Sequence, residues 1–119
     1  MRKDKLELLQ GTLDMLVLTT LTEGSLHGYK IVERIQQLSG GVIQVEEGSL
    51  YPALHRMEQR GWIAPEWGYS ANNRRAKYYK LTRAGHKQLE SELSMWSRMS
   101  QAISSVLDGA SSTSAAASS

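Results

Sequence analysis

Residues 46–81 constrain the fold of this 119-residue chain more than any other segment. Their first part has apolar residues at helical spacing and stops at Gly61, because a glycine readily adopts the conformation that ends a helix. Two β-prone runs follow, at about residues 63–67 and 77–81. Asn72 and Asn73 lie between the two runs and are suited to a turn. We therefore predict a short helix followed directly by a two-stranded hairpin.

The second strand of this hairpin begins the most unevenly charged part of the chain. Between residues 67 and 89 there are six basic residues and no acidic one. The six are Arg74, Arg75, Lys77, Lys80, Arg83 and Lys87. The rest of the chain has eight basic against twelve acidic residues, a balance of −4, so the formal net charge of +2 hides this asymmetry. Such a local excess is typical of a surface that binds a polyanion.

Two more helices are predicted before residue 46. One begins near residue 12 and the other covers about residues 28–38, and both have apolar residues three and four positions apart. Three helices followed by a hairpin are the order of elements in a winged helix-turn-helix. We therefore predict a mainly α fold with a small β-hairpin.

A long helix is predicted at the end of the chain, from a cap at Thr82 to about Leu107. Along one side of this helix runs a heptad seam, in which successive residues are 4, 3, 4, 3 and 4 positions apart and all but Ser100 are apolar. This spacing is the pattern of a helix that pairs with another helix. The seam consists of Leu89, Leu93, Trp96, Ser100, Ile103 and Leu107. No other helix of so small a domain can cover that length, so we predict that it pairs with a second copy of the chain.

The polar faces of the third helix and the hairpin contain the candidate binding residues. In a winged helix-turn-helix the third helix enters the major groove of double-stranded DNA, and the hairpin contacts the backbone or the minor groove. The candidate DNA-binding residues are Ser49, Tyr51, His55 and Arg56 in the helix and Asn73, Arg74, Arg75 and Lys77 in the hairpin. Arg56 suits a guanine contact and a phosphate contact equally, and Tyr51 suits packing or a phosphate contact as well as base reading. Trp67 is assigned to packing within the hairpin.

Three segments follow from these predictions. They are a winged helix-turn-helix DNA-binding domain over residues 1–81, a C-terminal dimerisation helix over residues 82–108, and a disordered tail over residues 109–119. The tail is predicted because its sequence, GASSTSAAASS, has too little apolar surface to order itself.

Other classes of function lack support in the sequence. The absence of cysteine excludes disulfides, thiolate catalysis and zinc fingers. The three histidines lack the spacing of a metal site, and no phosphate-binding glycine motif or catalytic triad is present. We therefore predict no enzyme activity, no metal and no cofactor. No apolar run approaches the roughly 20 residues that cross a bilayer, so we expect a cytoplasmic protein without a membrane partner.

Four segments of the chain resemble the PadR family of bacterial transcriptional regulators. They are LLQGTLDMLVLTTL at residues 8–21, LHGYKIVERI at 26–35, EEGSLYPALHRMEQRGWI at 46–63 and RRAKYYKLTRAGH at 74–86. The resemblance implies a homodimeric winged-helix repressor that binds a palindromic operator in double-stranded DNA and often releases it when a small effector binds. The single C-terminal helix resembles the compact branch of the family.

The resemblance also makes Trp96 the candidate ligand-binding residue, since some compact members stack flat aromatic ligands on a tryptophan of the last helix. The serines at positions 94, 97, 100 and 104 make this helix more polar than a typical drug-binding wall. Two alternatives stay open. One is a sensor of small aromatic or drug-like molecules whose main site is the dimer pore, and the other is a winged-helix module for protein–protein contact.

Overall fold

A computed structural model describes the backbone of residues 10–118 and the side chains of residues 11–110. Within residues 10–118, four helices and three strands follow one another. They are α1 (Gln10–Thr20), β1 (Leu26–His27), α2 (Gly28–Leu38), α3 (Glu47–Gln59), β2 (Ile63–Tyr69), β3 (Arg75–Leu81) and α4 (Arg83–Ser118), with a 3₁₀ turn at Leu21–Glu23 after α1. The chain forms two compact units that divide after residue 89, within α4.

The core of the first unit lies between α1, α2 and α3. Each of these helices contributes side chains with almost no solvent exposure, among them Leu18, Ile31, Leu54 and Met57. Burial of one such side chain stabilises the folded state by about 1.5–3 kcal/mol. Leu89 in α4 joins the same cluster. This core fixes which face of α3 remains exposed.

The strands form one antiparallel sheet in the order β1-β3-β2, with β3 in the centre. β2 and β3 pair from Ile63↔Leu81 to Tyr69↔Arg75, so each strand extends two residues further toward the turn than the sequence predicts. β1 pairs with the other edge of β3 over two residues only. The sequence did not predict β1, because two residues are too few to show a period of two.

Thr82 caps α4 as predicted, because its hydroxyl accepts a hydrogen bond from the Gly85 N–H at 3.0 Å. The same hydroxyl lies 2.6 Å from the carbonyl oxygen of Gly61, to which it can donate. The start of α4 is thereby tied to the end of α3.

The backbone of α4 continues past the predicted end near Leu107 and reaches Ser118. The last turns of this helix fall within residues 109–119, for which the disordered tail stays a prediction. Within residues 10–118, no helix combines the length and the apolar character that crossing a membrane requires.

Candidate nucleic-acid interface

The exposed face of α3 is set by its buried face. Leu50, Ala53, Leu54 and Met57 face the core, and helical geometry turns the intervening side chains outward. Three of the four candidates from this helix are exposed in the structure: Ser49, Tyr51 and His55. They present hydroxyl and imidazole groups, which can donate to or accept from base edges and phosphates.

Arg56, the fourth candidate in α3, is turned away from this face. Its guanidinium lies 2.5 Å from a carboxylate oxygen of Asp14 in α1, and the two side chains are 25% and 6% exposed. The Nε atom of Arg56 is buried without a hydrogen-bond partner. The sequence places Arg56 on the polar face of α3, and in the structure its charge is attracted by a buried aspartate on another helix. Arg56 links α3 to α1.

The hairpin turn presents three candidates to solvent. Asn73 has φ = 60°, a left-handed conformation that asparagine tolerates better than most residues. Its N–H donates to the carbonyl of Ser70 at 2.9 Å, and the Ser70 N–H donates to the carbonyl of Arg74 at 2.8 Å. This tight turn leaves the side chains of Asn73, Arg74 and Arg75 exposed.

Arg75 rests on an exposed tryptophan. Its guanidinium carbon lies 4.3 Å from the centre of the Trp67 ring, and Trp67 is 55% exposed. A cation–π contact at an exposed site contributes about 0.5–1 kcal/mol and restricts where the arginine points. Trp67 thus does more than pack within the hairpin, as the sequence analysis assigned it. The regular alternation of strand residues was the only signal that could have placed Trp67 and Arg75 on one face of the sheet.

Lys77 connects the hairpin to α3. Its ammonium lies 3.2 Å from a carboxylate oxygen of Glu58 and 5.4 Å from the centre of the Tyr79 ring. The hydrogen bond with Glu58 is the main cause of the raised pKa of Lys77, so this lysine remains charged. Of the four hairpin candidates, Lys77 is the one whose charge is partly neutralised by a neighbouring acid.

Among the side chains that the structure describes, no group of three or more histidines, aspartates or glutamates could hold a metal ion.

Three packed helices with a basic antiparallel hairpin beside the third define a winged-helix protein with a DNA-binding fold. Residues 17–91 match the sequence model of the Transcriptional regulator PadR-like family. The chain belongs to this family, and it is a transcriptional regulator and not an enzyme.

Solved structures show the same fold. A PadR family transcriptional regulator from Eggerthella lenta is 33% identical, with 82% of this chain and 83% of that chain covered and a TM-score of 0.69. A transcriptional regulator from Clostridium thermocellum is 29% identical, with 79% and 91% covered and a TM-score of 0.73. In sequence alone, the chain is also similar to a protein from Lysinibacillus sphaericus, at 25% identity over 103 residues, which are 87% of this chain and 94% of that protein.

Proposed function

We propose that this regulator is a homodimeric repressor that binds a palindromic operator in double-stranded DNA. The observation that carries the proposal is the position of Arg74 and Arg75. Both are exposed at the turn of a hairpin that follows directly on α3, in a stretch of the chain without an acidic residue between 67 and 89. When an arginine neutralises a phosphate, counterions condensed on the DNA are released, and this release drives binding.

The two parts of the surface have different roles in this proposal. Ser49 and His55 on the exposed face of α3 contact base edges in the major groove and supply sequence preference. Asn73, Arg74 and Arg75 contact the backbone or the adjacent minor groove and supply affinity. Because Arg56 is occupied by Asp14, we assign it to holding α3 in place and not to base contact.

The homodimer follows from the apolar side of α4. Leu93, Trp96, Ile103 and Leu107 are 45–63% exposed along the predicted seam of this single chain. Large apolar side chains in such a row are the usual contact surface of paired helices. Two copies related by a twofold axis would address half-sites roughly 34–36 Å apart, one turn of DNA.

An aromatic effector is the final part of the proposal. Trp96 lies in the middle of this seam, with half of its surface exposed. In a homodimer two such rings would come from the two copies and could stack on a flat ligand between them. The effector site therefore depends on the homodimer.

The replacement of Arg74 and Arg75 by alanine tests the DNA-binding role of the hairpin. We expect the double variant to bind all duplexes more weakly, and the slope of log K against log salt to shrink by about 0.9 for each lost phosphate contact. The measurement is fluorescence anisotropy with a duplex selected from a random pool, at several salt concentrations.

The matched control is R34A/R98A, which removes two positive charges from α2 and α4. This variant should keep the wild-type salt slope, because neither residue belongs to the hairpin. If R74A/R75A retains both the affinity and the slope of the wild type, the hairpin does not bind DNA.

A further inference from the structure

A cavity opens where α3 meets the hairpin. Its volume is about 380 Å³, and its wall includes the start of α2, the first half of α3 and the hairpin. We call it the seam cavity, after the boundary between α3 and the hairpin; it is distinct from the apolar seam of α4. The residues in its wall that carry the following argument are Gly28, Tyr29, Tyr51, Ser70 and Lys77.

The position of the seam cavity suits a strand of DNA. In the proposed function α3 occupies the major groove and the hairpin contacts the adjacent minor groove. Those two grooves are separated by one sugar–phosphate backbone, which therefore passes over the boundary between α3 and the hairpin. The seam cavity lies at that boundary.

The chemistry of the seam cavity suits a phosphodiester. Tyr29, Tyr51 and Ser70 supply hydroxyl donors and Lys77 supplies an ammonium, while no carboxylate belongs to the wall. Glu58 partly neutralises Lys77 from outside. Three neutral donors and one partly compensated cation match a group with a single negative charge better than a dianion.

The hydroxyl of Tyr51 lies close to Gly28 at the start of α2. A Cβ atom added at Gly28 would lie 2.7 Å from this hydroxyl, so only a glycine lets the ring sit there. Burial and then the nearby Glu47 raise the pKa of Tyr51, and the hydroxyl therefore stays protonated and can donate. The positive end of the α2 dipole lies at the same place.

We propose that the seam cavity holds one phosphate of the DNA backbone, with the hydroxyls of Tyr29, Tyr51 and Ser70 and the ammonium of Lys77 as its donors. This proposal rests on the proposed function. It adds Tyr29 and Ser70 to the interface and places them at the same phosphate as Tyr51.

Single methylphosphonate substitutions in the selected duplex test this proposal, since each removes the charge of one phosphate. For the wild type we expect one position between the two grooves where the substitution weakens binding about tenfold, the effect of a hydrogen bond to a charged group. Y29F/Y51F should bind the unmodified duplex about tenfold more weakly, and the substitution at that position should weaken its binding less than it weakens that of the wild type, because only Ser70 and Lys77 remain as donors. Y29F alone serves as a second variant, because the Tyr29 side chain is 64% exposed and its hydroxyl is not needed for folding.

Y78F is the matched control. Tyr78 neighbours Tyr79 in β3, and its hydroxyl donates to the carbonyl of Tyr69 at 3.3 Å, outside the wall of the seam cavity. Each methylphosphonate substitution should weaken the binding of this variant as much as that of the wild type. Suppose that the wild type binds DNA and that each methylphosphonate substitution weakens the binding of the tyrosine variants as much as that of the wild type. The phosphate site is then wrong while the proposed function stands. If the wild type selects no duplex at all, both are wrong.

Discussion

Arg56 and Arg74 have the same side chain, and the fold places them in opposite environments. Arg74 is exposed at the hairpin turn, whereas Arg56 is three-quarters buried against Asp14. Placing a charge in the interior costs several kcal/mol unless a partner compensates it. The pair therefore stabilises the contact of α3 with α1 only as long as both members are present.

Replacing Asp14 by alanine should lower the free energy of unfolding by about 3 kcal/mol, because it leaves the Arg56 charge buried without its partner. Urea denaturation followed by circular dichroism measures the change. The double variant D14L/R56M should recover most of the loss, since it removes both charges. A D14A protein as stable as the wild type would show that the ion pair contributes nothing.

The sequence could not have located this pair. Asp14 and Arg56 are 42 positions apart, and an arginine at the border of the apolar face of a helix can turn either way. Arg74 and Arg75 were easier to place, because a turn signal and a local excess of charge both indicate exposure. Single residues at element borders are decided by tertiary contacts that a local pattern does not contain.

At the scale of elements, the junction between α3, β2 and α4 depends on a close approach of backbones. Gly85 in the first turn of α4 lies against the carbonyl of Trp62, and an added Cβ would overlap that oxygen. A Cβ atom added at Gly48 in α3 would have no neighbouring atom within 4 Å. The two helical glycines therefore allow a comparison in which an added methyl group meets backbone at Gly85 and open space at Gly48.

The variant G85A should destabilise the protein by about 2 kcal/mol or more, because backbone atoms must move to admit the methyl group. G48A should leave stability unchanged or raise it by up to about 1 kcal/mol, through the better helix propensity of alanine. Thermal unfolding of both variants measures the difference. Equal unfolding midpoints would mean that the junction relaxes without cost.

Elements with a long periodic pattern were predicted well. The bounds of α2 match residues 28–38, and the hairpin and the capped start of α4 are where the sequence placed them. β1 was missed because its two residues pair with a strand more than fifty positions later. The extent of the hairpin was underestimated because Tyr69 and Arg75 pair through backbone groups, which no side-chain pattern shows.

At the scale of the whole molecule, the apolar side of α4 determines the proposed assembly. Met95, Met99 and Val106 add to the exposed apolar surface of the seam. A single chain would expose this row to water, at a cost of about 25 cal/mol for each Å² of apolar surface. Association with a second copy, as proposed, would remove that cost.

We expect the wild type to sediment as a dimer and L93E/I103E to sediment as a monomer, because the buried seam would have to accept two charges. The control S94E/S105E adds the same charges on the opposite side of α4, and it should remain a dimer. Analytical ultracentrifugation over a range of concentrations distinguishes these states. A monomeric wild type would contradict the homodimer and, with it, the effector site between two copies of Trp96.

The two-residue strand β1 has a consequence for how the hairpin meets DNA. β3 is paired on both edges only at Tyr78 and Tyr79, whereas Arg75, Ala76 and Lys77 are paired with β2 alone. The base of the hairpin is therefore pre-organised, and the conformational entropy lost on binding is concentrated in the outer residues. In the proposed complex the hairpin arginines would therefore adjust to the local width of a groove while α3 keeps its orientation.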